Sequence, residues 1–115
     1  MTPALLHILQ HSLGLDAHGL YKGEREGYRN YFATGPSCDN YAQCRELADA
    51  GLMVEHAPRG ELCPYSTFVV TDAGRDAVRE HSPPAPKLTR AQKRYRRFVA
   101  HDCGLSFREW LRVYA

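Results

Sequence analysis

The segment LMVEHAPRGELCPYSTFVVTDAGRDAV, residues 52–78, constrains the fold more than any other part of the chain. LMVEH and STFVVT are short and rich in β-branched and apolar residues, the composition of strands. Pro58 and Gly60 between them supply a turn. Two such runs joined by one short loop pair antiparallel. A lone hairpin is marginal in water, so its apolar face needs helices against it. The flanks supply them. Tyr41, Cys44, Leu47 and Ala48 recur at helical spacing over 39–50, with Ser37 or Asp39 as cap and Gly51 as stop. After the second strand, Thr71 or Asp72 caps a helix over 72–81, with Ala73, Ala77 and Val78 inward.

Elsewhere the pattern is uneven. Pro3 suits the first turn of a helix over 3–13, whose Leu5, Leu6, Ile8, Leu9 and Leu13 form a broad apolar face, and Gly14 ends it. Residues 15–36 interleave four glycines with Tyr21, Tyr28, Tyr31 and Phe32, which argues against a long helix. YRNYF fits one short helical turn. SPPAP, residues 82–86, is a stiff extended linker. Thr89 and Gln92 then form a capping box for a helix over 90–102, closed by Gly104. Ser106 and Glu109 form a second box, with Leu105 and Trp110 spaced as a hydrophobic staple. The last helix carries Phe107, Trp110, Leu111 and Tyr114 at i, i+3, i+4 and i+7, a stripe that needs a partner surface.

With 115 residues and 24% charged side chains, the chain fits one compact domain with an appendage. Its net charge of +2 hides an asymmetry. Residues 1–82 hold 7 Lys and Arg against 11 Asp and Glu, while residues 83–115 hold 8 against 2. The domain plan is therefore a mildly acidic body over 1–81, a Pro-rich linker over 82–88 and a basic helical extension over 89–115. No apolar run approaches the roughly 18–20 residues that span a bilayer. MTPALLHILQHSLGL lacks a basic start and reads as a core helix, not a signal peptide. The expectation is a cytoplasmic protein with no membrane partner. Cys38, Cys44, Cys63 and Cys103 make no C-x-x-C pair and read as reduced thiols. His7 and His11 have helical ligand spacing but no companion ligands, so no metal and no cofactor are expected.

LADAGLMVEH, the glycine-containing hairpin and VVTDAGRDAV together resemble the part of MarR-type and related winged-helix domains where a helix ends in Gly-Leu, a wing follows and a Leu-Thr-x-x-Gly start opens the next helix. The match covers residues 44–80, about a third of the chain. It implies a mostly helical α+β fold, a winged helix-turn-helix with a two-stranded wing and a C-terminal helical extension. The whole chain is also similar to a group of small proteins of tailed phages and prophages, which carry a like Y-x-N-x-F-x-T-G stretch (residues 28–35 here), the Gly-Leu-Met step and a basic tail ending in Trp-Leu. That resemblance implies a setting and no mechanism.

In a DNA-binding winged helix the helix before the wing enters the major groove. The matching helix here presents Asn40, Gln43 and Arg45, yet Asp39, Glu46 and Asp49 outnumber its single cation, an arrangement phosphates repel. The wing adds Arg59 beside Glu61. The tail is the stronger electrostatic footprint. Arg90, Lys93, Arg94, Arg96 and Arg97 crowd KLTRAQKRYRR with Tyr95 and Phe98 between them. The reading is a phage-type winged-helix accessory or transcription-regulating protein that contacts DNA or RNA through these residues. The alternative is a protein-interaction module on the same scaffold, homodimeric or bound to another protein, with Phe107, Trp110, Leu111 and Tyr114 as anchors. No catalytic residues stand out. There is no phosphate-cradling glycine loop and no nucleophile elbow, so no enzymatic role is expected. Cys38, close to a helix start, has some thiolate character in prospect.

Overall fold

The computed structural model describes residues 1–60 and 62–114. In chain order the elements are α1 (Pro3–Leu13), β1 (Phe32–Thr34), α2 (Tyr41–Asp49), β2 (Met53–His56), β3 (Ser66–Val70), α3 (Asp72–His81), α4 (Arg90–His101) and α5 (Phe107–Tyr114). The fold is α+β, with five helices and one antiparallel sheet ordered β1–β3–β2 among the described residues. The chain divides into two compact units, Met1–Pro84 and Ala85–Ala115.

In the first unit the expected hairpin is present. Met53 pairs with Val70 and His56 with Thr67. It is not, however, a two-stranded ribbon. β1 pairs along the other edge of β3, Phe32 against Phe68 and Thr34 against Ser66, so β3 is the central strand of three. The YRNYF segment is accordingly extended, not a helical turn. Asn30 explains why. It stands at the register position opposite Val70, where its side-chain amide replaces a backbone pair: Nδ2 donates to the Val70 carbonyl (3.0 Å) and Oδ1 accepts from the Val70 N–H (2.7 Å). The Tyr31 N–H donates to the Ser12 carbonyl (3.1 Å) and ties the same segment to α1.

Alternation along β3 turns Ser66, Phe68 and Val70 inward. They meet Ile8, Leu9 and Leu13 of α1, Cys44 and Leu47 of α2, Met53 of β2, and Ala77 and Val78 of α3. Each large apolar side chain in this core contributes about 1.5–3 kcal/mol by leaving water. The buried Gln10 carries the polar exception: its amide donates to the Ala17 carbonyl (3.1 Å) and to Ser82 Oγ (3.0 Å). The start of the proline-rich segment is thereby held on the first unit, and the boundary between units falls at 84/85.

The helix ends partly follow the sequence. Pro3 opens α1, Gly14 closes it in the left-handed region (φ 74°), and Thr71 caps α3; the cap of α1 is Thr2, which the sequence pattern does not single out. Neither Ser37 nor Asp39 caps α2. Asn40 holds that position without a side-chain capping bond, because its Oδ1 accepts from Thr34 Oγ1 (2.6 Å). Residues 35–40 form turns, so α2 is the one regular helix between β1 and β2 among the described residues. α4 closes on Asp102 in the left-handed region (φ 45°), two residues before Gly104. In α3, Ala73 is exposed and Gly74 is the buried neighbour.

Gly74 lies so close to the hairpin that an added Cβ would run into the Leu52 carbonyl oxygen and the Val70 side chain. In an open helix Gly→Ala gains about 1 kcal/mol. Here Gly74→Ala should instead lower stability by about 1–3 kcal/mol, because overpacking against backbone cannot relax cheaply. Urea unfolding followed by circular dichroism reads the sign directly, and a midpoint at or above that of the parent protein would contradict this packing.

Candidate nucleic-acid interface

Of the residues proposed on α2 and the hairpin, Asn40 and Arg45 are engaged inside the first unit. Asn40 is bonded to Thr34, and it lines a groove with Gln43, Ala4, His7, Ile8, His11 and Phe32. In that groove His11 stays below its ordinary pKa through burial and the nearby charges of Arg29 and His7. Arg45 bridges two carboxylates, Glu55 Oε1 at 2.5 Å and Asp49 Oδ1 at 3.2 Å. Tyr41 Oη donates to Glu55 Oε2 (3.0 Å). The Ser66 hydroxyl, Tyr41 and Arg45 together hold the Glu55 carboxyl below the usual glutamate range. The same bond to Glu55 raises the Tyr41 phenol. The one cation of α2 is thus taken up by Glu55 of β2 and by Asp49 of its own helix. Arg59 is exposed on the hairpin loop. Its sequence neighbour Glu61 lies outside the described residues.

The tail residues are arranged differently. Arg90, Lys93, Arg94 and Arg97 fall at i, i+3, i+4 and i+7 on α4, which places them in one stripe, with Arg96 on its flank. All five are exposed, as is Lys87 just before the helix. Within the unit none of them pairs with a carboxylate among the described residues. Like charges at i, i+4 cost a few tenths of a kcal/mol each. The Thr89–Gln92 capping box, with both reciprocal bonds formed, helps the helix hold despite them.

The side of α4 adjoining this stripe is covered by α5. Tyr95 meets Phe107 edge-on at 5.1 Å between ring centroids, Phe98 meets Phe107 at 5.2 Å and Trp110 at 5.9 Å, and His101 meets Tyr114 at 4.4 Å. Ser106 and Glu109 start α5 with the expected reciprocal bonds. Trp110 is only 2% exposed, and the Arg97 guanidinium lies 5.6 Å over its ring. Trp110 is therefore the centre of the helical pair and not an open anchor. Phe107 and Leu111 are half-buried, while Tyr114 remains 49% exposed. The rings interleaved with the basic residues serve mainly the pairing of α4 with α5, an assignment that the stripes of both helices foreshadow only when set face to face.

All four cysteines are free thiols. A backbone hydrogen bond from Gly35, helped by the Thr34 hydroxyl, lowers the Cys38 thiol, while burial pushes Cys44 up to about 11. No helix among the described residues is long and apolar enough to cross a membrane. No protein-family model, curated protein or solved structure matches this chain.

Glu55 gives a test of how α2 is held. A carboxyl with a lowered folded-state pKa stabilises the fold fully above its unfolded value, near 4.3, and that gain is lost as pH falls through the folded value. Glu55→Gln should therefore cost about 1–2 kcal/mol at pH 7, mostly through its hydrogen bonds, since the more exposed Arg45 pair adds little. The deficit should shrink as pH drops below about 4. Thermal melts of both proteins across this range measure it; a deficit that stays constant or grows on acidification would show that the carboxylate is not the stabilising form.

Proposed function

We propose that the chain is a non-catalytic winged-helix accessory or regulatory protein of the phage type, and that it binds nucleic acid through the phosphate backbone with α4 as its main contact. The observation that carries this reading is the stripe of Arg90, Lys93, Arg94 and Arg97, flanked by Arg96, exposed and without carboxylate partners among the described residues of its own unit. Backbone contacts of this kind release counterions and supply sequence-independent affinity. Because α5 covers the aromatic face, α4 offers charge more than base-stacking rings. The element order α1–β1–α2–β2–β3–α3 with sheet order β1–β3–β2 supports the winged-helix scaffold. The hairpin with Arg59 would then be the wing, and turns over 35–40 would stand where a separate first helix of the helix-turn-helix is expected. With Asn40 and Arg45 engaged internally, α2 would add little base reading, and Gln43 and Arg59 would be secondary contacts.

A second reading, a protein-interaction module, draws support from Tyr114 and Val113, which are 49% and 64% exposed on α5 beside the half-buried Leu111. The partner in that case would be a second copy or another protein.

Fluorescence anisotropy with a labelled duplex, repeated over a range of salt, separates the two. Four or five phosphate contacts give a slope of log K against log salt near −3.5 to −4.5. Arg90→Ala/Arg94→Ala/Arg97→Ala should reduce affinity at least about tenfold at low salt and flatten that slope. Asn40→Ala/Gln43→Ala should leave both nearly unchanged. Absence of binding at low salt, or a slope near zero, would set the nucleic-acid reading aside in favour of the interaction module.

A further inference from the structure

We infer that His101 is a proton-sensitive latch between α4 and α5 that links nucleic-acid binding to pH; the binding half of this inference rests on the function proposed above. The bond at issue is from Trp110 Nε1–H to His101 Nδ1, 2.7 Å long. An indole nitrogen only donates, so Nδ1 must be the bare, accepting nitrogen and the ring must be neutral, with its proton on Nε2. A proton arriving on Nδ1 occupies the lone pair and removes the acceptor. Both nitrogens then donate, and the indole N–H faces a donor. The latch holds only in the neutral form.

The position of His101 gives that proton a second effect. Arg90, Arg94, Arg97 and His101 stand at i, i+4, i+7 and i+11 of α4, so the charged imidazolium extends the cationic stripe. The groups that face it are known from both helices. From α4 come Arg97 one turn before it and the neighbouring Asp102; from α5 come the rings of Trp110, at 6.1 Å, and Tyr114, at 4.4 Å. Arg97, over the same indole, opposes the added charge. Asp102 and the carbonyl end of α4 favour it. A bound phosphate would favour it further, and by linkage protonation favours the bound phosphate equally. Lower pH thus loosens the hold of α5 on α4 while adding a cation to the face that meets the ligand.

The chain contains a single tryptophan, so the latch can be read without any ligand. Tryptophan fluorescence, excited beyond tyrosine absorption, and the one indole N–H signal in a proton–nitrogen correlation spectrum should both change, in one shared transition, as the protein is acidified from neutral pH. His101→Asn places an amide oxygen near the position of Nδ1 and keeps an acceptor that does not titrate. It should hold the helical content by circular dichroism and abolish both transitions. The duplex affinity of the parent protein at fixed low salt should rise about two- to fivefold from pH 8 to pH 5.5, as expected for one added phosphate contact. That of His101→Asn should follow a flatter course. Indole signals that do not titrate, or that titrate alike in His101→Asn, would overturn the latch even if duplex binding is strong. Indole signals that titrate as expected beside a duplex that binds at no pH would support the latch and remove the nucleic-acid reading. Should His101→Asn lose helical content, the indole N–H of the parent protein decides alone, since a pH-independent signal there overturns the latch.

Discussion

Strand β3 is hydrogen-bonded along both edges, and the first unit is organised around that fact. A strand so placed spends its backbone groups on neighbours and presents one face, Ser66, Phe68 and Val70, to the helices. Loss of pairing on either side would leave buried N–H and C=O groups without partners, at a cost of about 1–3 kcal/mol each. The short β1 is completed by Asn30, whose amide continues the ladder where the backbone cannot. Helices α1, α2 and α3 then have a fixed apolar surface to cover. The tie from Gln10 to Ser82 closes the unit at its far end.

How much of this could be read beforehand depends on the range of the interactions. The hairpin, α1, α3 and the capping boxes of α4 and α5 are set by neighbours within a few residues, and their signatures are local: β-branched runs, Pro3 and Gly14, Thr71, the Thr89–Gln92 pair. Residues 15–36 are ordered from a distance. Arg29 donates to the His11 carbonyl, Asn30 grips Val70, and Asp16 receives the N–H groups of His18 and Leu20 in a turn. An asparagine acting as a piece of strand leaves no periodicity to find. The placement of Asn40 is similar, since only folding brings Thr34 to its side chain. Gly74 was visible as a residue but not as a contact, because the backbone it approaches lies 22 positions earlier at Leu52.

For the candidate interface the residue types were legible and their division of labour was not. The concentration of Lys and Arg after Pro86 is a compositional fact. That four of them form a single exposed stripe, while the intervening rings turn toward α5, follows from helical geometry and from the pairing of two helices. Among the described residues the second unit has little interior beyond Trp110, so the pairing of its helices relies on ring contacts and on the bond from Trp110 to His101. An assembly with so few internal restraints responds to small changes in charge, which suits an element whose proposed ligand is charged.

Cys44 lies in the opposite situation. It is fully buried on the inner face of α2, and burial, with the nearby Glu55 charge, lifts its thiol to about 11, so at neutral pH almost none of it is thiolate. Cys63 and Cys103 are open to solvent. Electrophiles and oxidants attack the thiolate, and so these two and the half-exposed Cys38, whose thiol is lowered, bear their effect while the native state lasts. Modification of Cys44 requires the core to open, and its rate is therefore a clock for the rare excursions in which α2 lifts away from the sheet.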